Sequence, residues 1–572
     1  MGTPEVSNHR VPGAVFLALA TGGADETEAL PAALHSKRRL LLLAVRRRLE
    51  PDYLASVDAA WALLANAARV APAAVDSVLD HPAIGGWGMQ VLRESGDLVN
   101  AAGYFGGIVA AALYRAGLTG DVSVRVRADG TVPLPSVGRY SGLGVQRWLT
   151  ASVTPGVIRL EASGNWEPVR QFIAETDGRR LELLLDDVDP HRVPDELAAA
   201  ERLADEVIPQ WQASLRDAWD RLVRRHPHRA ASIARDVTSL TPLITPVGEL
   251  QVSASSSDRP GGVALTKPAS GSTMAETLVH EHQHLKLASL LALVPLTRSS
   301  DRLFYAPWRT DPRPALGLLH GAYAHLGLVQ YWAIERDHDD GLTMHYSFAR
   351  WRQATALVLD ALSQSDVLTD TGVRFVAGMR EALAPHLAEP VPAVAAEVAE
   401  DAERENRISW RLRNVRPDEN VVLALADAWR HGRPYVSPAP MSIRPVAGSR
   451  ASRSSGRQRL AMTRLISSQA AGVRHADGLR EADLAYSRGD HANAARLYGS
   501  TIRAGTAESE AWVGLALAHH HLGTPAGIAL VDHPALVRAL HEILPPSDSP
   551  EPEFIADWIA TGAALNGRRL DH

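Results

Sequence analysis

Five consecutive residues, His280-Glu281-His282-Gln283-His284, carry the clearest chemistry in this chain. They read H-E-x-x-H, two histidines one helical turn apart with a glutamate beside the first. On an α-helix, positions i and i+4 share a face, so the imidazoles of His280 and His284 can point at one cation. Glu281 falls about 100° round the helix from His280, where it can act as a base, orient a ligand or touch the metal. Imidazole suits zinc and iron alike, so the motif alone leaves the metal open. The plain alternative is an amphipathic helix whose polar face carries histidines.

The flanking residues say how such a helix would be held. Thr273-Met274-Ala275-Glu276 reads as a capping box. The run from Thr277 to Val294 has no Gly or Pro and stops at Pro295. Upstream, Gly248-Glu249-Leu250-Gln251-Val252 and Gly261 to Lys267 read as two short strands, and Val263 to Lys267 could lie at a sheet edge. Strand, capped helix and metal motif together give a zincin-like layout.

Two histidines do not hold a catalytic metal alone, so a third ligand is expected. Tyr305-Ala306-Pro307-Trp308-Arg309-Thr310-Asp311-Pro312-Arg313-Pro314 breaks helix, and a new helix is predicted from about Ala315. That helix carries His320, His325 and Glu335. His320 is the favoured third ligand, because small neighbours in Gly317-Leu318-Leu319-His320-Gly321 allow close approach. Arg309 and Arg313 could hold the carboxylate of a co-substrate bidentately; the plain alternative is a salt bridge, for instance with Asp311. A zinc peptidase would instead use a downstream Glu, with Glu281 as general base on a metal-bound water.

The block from Glu276 to Trp332 resembles the α-ketoglutarate-dependent H-E-x-x-H-type peptide β-hydroxylases, which modify ribosomally made precursor peptides in bacterial natural-product pathways. The residues that carry the resemblance are His280 to His284, Tyr305-Ala306-Pro307-Trp308-Arg309, Asp311-Pro312-Arg313-Pro314 and Leu318-Leu319-His320-Gly321-x-Tyr323. It extends over roughly residues 10–440, including Trp87 and Trp410-Arg411-Leu412-Arg413-Asn414, and does not cover the tail after Arg457. The resemblance implies Fe(II) held by His280, His284 and His320. It also implies 2-oxoglutarate (α-ketoglutarate) as co-substrate, with Arg309 or Arg313 at its distal carboxylate, and O2 as oxidant. Glu281 would then orient a ligand or touch the iron. The implied partners are a precursor peptide and pathway enzymes such as a radical peptide-crosslinking enzyme. His338-Asp339-Asp340 matches the common H-x-D oxygenase signature in form only, since it follows a helical run in a charged turn. Two other functions compete: a zinc metallopeptidase built on the same five residues, and a non-catalytic peptide-binding scaffold.

The elements that must position these residues follow from composition and period. The chain has 572 residues, 46% hydrophobic and 22% charged, with a net charge of −6; this predicts several ordinary globular domains and no nucleic-acid surface. It has no cysteine, which excludes disulfides, thiolate metal sites and a cysteine nucleophile. No stretch is long enough to span a membrane, and Met1 to Arg10 lacks the order of a secretory signal, so a cytoplasmic location is expected. The predicted fold class is α+β, predominantly helical. Residues 1–120 read as a helical region broken at Gly85-Gly86-Trp87-Gly88 and at Gly103 to Gly107, with Trp61, Trp87, Tyr104 and Phe105 in its core. Residues 121–190 alternate as strands, with Asp129-Gly130 as a hairpin turn. Residues 191–443 form the metal-binding region, helical from Pro194 to about Ala234. Residues 444–457 read as a linker, and residues 458–572 as tetratricopeptide-like helices. Within these, His519-His520-His521 is expected to be a solvated run, because three successive helical residues cannot face one ion.

Overall fold

Two glycine-rich runs that read as helix breaks lie inside helices. Gly85, Gly86 and Gly88 belong to Pro82–Arg93, and Gly103, Gly106 and Gly107 to Leu98–Ala116. The reason is close approach. A Cβ on Gly106 would stand 2.0 Å from the Ser123 carbonyl oxygen, one on Gly103 2.3 Å from the Arg125 Cβ, and one on Gly85 2.2 Å from the Asp258 carbonyl oxygen. Helix and strand backbones meet where a side chain would hold them apart. Leu98–Ala116 starts at Asp97, whose side chain accepts from the Asn100 N–H, and ends at Gly117 in the left-handed conformation (φ 65°). Every residue from Ala101 to Leu113 is buried, so this helix is the axis of the N-terminal core.

This computed structural model describes residues 9–23, 29–93, 97–144, 147–194, 196–244, 252–338, 341–436, 442–443, 455–466, 480–505, 509–544 and 550–565. They form twenty α-helices, one 3-10 turn and fifteen short strands, a mostly helical molecule. Among them no helix is long and apolar enough to cross a membrane. The chain divides into two units: Met1–Leu296 with Asp370–Met379, and Thr297–Thr369 with Arg380–His572. The division at residue 296 falls inside the region 191–443.

In the first unit, the long helix Ala29–Val70 changes direction at Tyr53, which leaves helical geometry (φ −133°, ψ 27°) just after Pro51. Beyond the helices, Gly120–Arg125 pairs with Trp148–Thr154 and not with the strand that follows it, Val132–Leu134. Asp129-Gly130 does turn the chain, with the Gly130 N–H donating to the Arg127 carbonyl at 3.0 Å. The Arg127 N–H also donates to the Thr131 carbonyl at 2.9 Å, so the turn closes, but it does not extend into a longer hairpin, because beyond it each arm pairs in a different three-stranded sheet.

A five-stranded mixed sheet follows, in the order Ser253–Ala254, Gly262–Leu265, Ser239–Pro242, Arg179–Leu185, Arg170–Thr176. Its outer pairs are antiparallel and its inner pairs parallel. Gly262–Leu265 is therefore paired on both sides, and the expected edge position belongs to Ser253–Ala254. Of the other expected strand, residues 248–251 lie outside the described residues. Alternate residues Leu181, Leu183 and Leu185, with Phe172 and Ala174 opposite, are buried. The helix expected from Pro194 starts only at Ile208, after a 3-10 turn at Asp205–Val207. Before it, the Ala200 N–H donates to the Pro242 carbonyl and Ala198 accepts from the Ile244 N–H, both at 2.9 Å. Sheet hydrogen bonds there replace helical ones.

In the second unit, Ala315–Glu335, Leu342–Ser363, Ala393–Asn414 and Glu419–Arg430 precede seven C-terminal helices. Ile408, Leu412, Val422 and Leu425 share one core with Tyr498, Trp512, Leu536 and Ile555. Of the expected linker, residues 444–454 lie outside the described residues. Arg457, at its end, is no linker residue. It is 4% exposed, and its guanidinium donates to Glu405 and Asp483 at 3.0 Å each and to the Tyr498 hydroxyl at 3.2 Å. Pairing with two carboxylates is what lets a buried charge persist.

Candidate metal centre

The motif helix is Gly271–Leu291. Its N-cap is Ser270, whose hydroxyl accepts from the Thr273 N–H at 3.1 Å. The cap thus lies three residues before the expected Thr273-to-Glu276 box, which leaves Glu276 for another role. The helix is buried nearly all round. Its half-exposed positions include Ser272, Glu276, His280, His284 and Ala288, one stripe at spacing four. His280 and His284 lie in the middle of that stripe.

Their imidazoles converge. Nε2 of His280 and Nε2 of His284 are 3.2 Å apart, with the rings inclined at 81°. Two nitrogens at that separation, each about 2.1 Å from a metal, would subtend roughly 100° there, between octahedral and tetrahedral values. Burial holds the His280 pKa below its ordinary value, and Glu281 opposes this. The imidazole is thereby kept in the neutral form that ligates.

Glu281 is 1% exposed. One carboxylate oxygen accepts from the Ser253 hydroxyl at 2.6 Å, and the other is buried with no hydrogen-bond partner. Such an oxygen is costly unless a proton, a water or a cation meets it. The donor set therefore fits a divalent metal: two converging imidazoles on a half-exposed stripe with a half-satisfied carboxylate beside them. Among the described residues no group of three or more His, Asp or Glu side chains is gathered for a metal ion, so the convergence is that of a pair.

Two residues that sequence reading missed brace this helix. Ser253 lies 28 residues from Glu281, on the sheet's edge strand. Asp236 lies 46 residues from His282 and meets its Nε2 at 2.8 Å. His282 is 2% exposed and serves as an anchor. The Asp236 carboxylate is held down to about 2: burial raises it, and hydrogen bonds from His282 and Arg235 outweigh that. Neither partner has a local spacing signal.

The other candidates lie in the second unit. His320 is half-buried on Ala315–Glu335, a helix that begins where predicted, and burial pushes its pKa down to about 4. His325 is 4% exposed and sits between the rings of Trp308 (4.3 Å, 16°) and Trp351 (4.3 Å), with Nδ1 on the Gly321 carbonyl at 2.8 Å. Gly321 is small because a Cβ there would stand 2.3 Å from the Trp308 ring, so part of the Trp308-to-Gly321 pattern is packing. Glu335 is fully buried at the far end of the same helix.

Arg309 and Arg313 do share a carboxylate, that of Asp311: Arg309 Nε donates at 2.8 Å and Arg313 Nη1 at 3.2 Å. Arg309 is 51% exposed and Arg313 35%. Of the H-x-D match, Asp339 and Asp340 lie outside the described residues. In the expected solvated run His520 and His521 are exposed and His519 half-buried, and His521 Nε2 meets both Asp401 oxygens at 3.0 Å. No protein-family model matches this chain, and no curated protein is significantly similar to it.

Proposed function

We propose that this protein is an Fe(II)- and 2-oxoglutarate-dependent oxygenase that β-hydroxylates a side chain of a ribosomally made peptide. The observation that supports it most directly is the convergence of His280 and His284 at 3.2 Å on the open stripe of an otherwise buried helix. His280 and His284 would hold the iron, and His320 is the proposed third ligand on the sequence resemblance. Bound Fe(II), with 2-oxoglutarate and O2, supplies hydrogen abstraction; one oxygen atom enters the peptide and the other leaves in succinate, with CO2. The chain's own residues then have defined tasks. Burial keeps the His280 imidazole neutral, and Ser253 fixes one oxygen of Glu281 and leaves the other unpartnered. Arg313, the less exposed of the two arginines, is the better holder of a distal carboxylate, with Arg309 sharing Asp311.

The test is an anaerobic optical titration of the Fe(II)-loaded protein with 2-oxoglutarate. A visible charge-transfer band is expected, absent in His280→Ala. Arg313→Ala should weaken co-substrate binding by about tenfold or more and leave iron bound; unchanged affinity in both Arg313→Ala and Arg309→Ala removes the arginine assignment. The second reading, a zinc peptidase, draws on Glu281 itself, a buried carboxylate with one unpartnered oxygen beside two imidazoles. No band, tight zinc and peptide cleavage lost in Glu281→Gln would favour it.

A further inference from the structure

We infer a second ligand site in the first unit, remote in sequence from the metal helix: a cavity of about 200 Å³ that takes a carboxylate on a short apolar stem. Trp87, Val91, Leu98 and Ala101 give it an apolar wall, and Gln90, Asn100, Arg127 and His191 a polar one, with the exposed Asp97 among its lining residues. It is smaller than the ~300–1,000 Å³ sites that enclose drug-sized molecules, which suits a short stem.

The walls are held in place. Tyr104 packs on Trp87 (5.2 Å) and edge-on to His191 (4.7 Å), and its hydroxyl donates to Asp189 at 2.9 Å. His191 is fixed through its ring, its N–H and its carbonyl. Its Nδ1 meets Gln90 at 3.1 Å, its N–H donates to Asp189 at 2.8 Å, and its carbonyl accepts from Arg259 at 2.8 Å. A cavity built on such a network is organised before any ligand arrives.

What remains unused is donor capacity. Trp87 is 1% exposed and its indole N–H is buried without an acceptor. Arg127 Nε is also buried without a hydrogen bond; its nearest carboxylate, Asp129, is 3.7 Å away. Two arginines bring positive charge: besides burial, Arg127 and Arg259 both push the His191 pKa down, to about 3, so that imidazole adds no charge of its own, while Asp189 is engaged by the His191 N–H and the Tyr104 hydroxyl and Asp97 is exposed. Two donors without a hydrogen-bond acceptor, one of them on a guanidinium with only a long ion pair to Asp129, beside an apolar wall select a carboxylate with a short stem over an amine or a neutral amide. The source is either a free short-chain acid or an acidic side chain of a peptide.

Fluorine NMR of protein labelled with 5-fluorotryptophan tests this. The chain has 13 tryptophans, so Trp87→Phe assigns the resonance. The probes are butyrate and N-acetylglutamic acid amide, with butyramide and N-acetylglutamine amide as uncharged controls. A saturable shift of the Trp87 resonance is expected with at least one acid and not with its control, weakened at least tenfold in Arg127→Met. Tighter binding of the glutamate probe identifies a peptide side chain, and butyrate alone a free acid. No shift up to about 20 mM, equal binding of the controls, or an unchanged affinity in Arg127→Met overturns the inference. Should Trp87→Phe not fold, a rise in Tm with the acid probes that Arg127→Met abolishes is the equivalent reading.

Discussion

At the scale of the residue, Glu281 is the side chain whose surroundings say most about the proposed centre. Its two oxygens are treated differently: one is satisfied by Ser253 and the other is left buried and bare. Removing Ser253's hydroxyl would leave the whole carboxylate without a side-chain donor in a buried setting. Ser253→Ala is therefore expected to cost about 1–3 kcal/mol in the metal-free protein, measured by urea denaturation. If Glu281 touches the metal, loading with Fe(II) or Zn(II) recovers most of that loss; if it only orients a ligand, the loss persists. The motif told the reader that Glu281 matters. Which oxygen is free was not legible, because the residue that decides it lies on a strand 28 positions away.

At the scale of the element, close approach and buried pairing explain where expectations failed. The glycines of Leu98–Ala116 serve contact with the neighbouring strand. Gly106→Ala, which would place a Cβ 2.0 Å from the Ser123 carbonyl oxygen, should destabilise the first unit by about 3 kcal/mol in denaturant melts. An ordinary alanine-for-glycine gain would show that the contact relaxes freely. In the second unit, Tyr305 donates to Glu403 at 3.0 Å, tying the Tyr305 segment to helix Ala393–Asn414. Burial pushes the Glu403 carboxyl up to about 7. A raised acid binds its proton in the folded state between about 4.5 and 7 while the unfolded chain has lost it. Stability should therefore fall as pH rises through that window and level off above it. Melting temperatures from pH 5 to 8 should show this fall in the wild type and a flatter profile in Glu403→Gln; parallel profiles would exclude Glu403 as its source.

At the scale of the whole molecule, the C-terminal helices are part of a core and not an appendage. Ile408, Leu412, Val422 and Leu425 pack with Tyr498, Trp512 and Leu536, and Arg457 joins Glu405 to Asp483. A chain ending at Pro445 is expected to lose its cooperative thermal transition and to aggregate in size-exclusion chromatography, because it uncovers that apolar face and leaves Glu405 buried without its cation. A monodisperse, cooperatively melting product would instead establish the tail as separable. The sequence by itself determined the convergence of His280 and His284, since i, i+4 spacing is a property of the helix alone. It also determined the start of the helix at Ala315, the β-rich character of the stretch from about residue 121 and the mostly helical character, because these depend on local period and on proline. Only the tertiary structure decided that glycines sit inside helices, that Ser270 caps the motif helix, that Ser253 and Asp236 brace it, and that Arg309 and Arg313 share Asp311. Each of those rests on which backbone or side chain arrives from elsewhere in the chain, and short-range sequence pattern carries no record of that arrival.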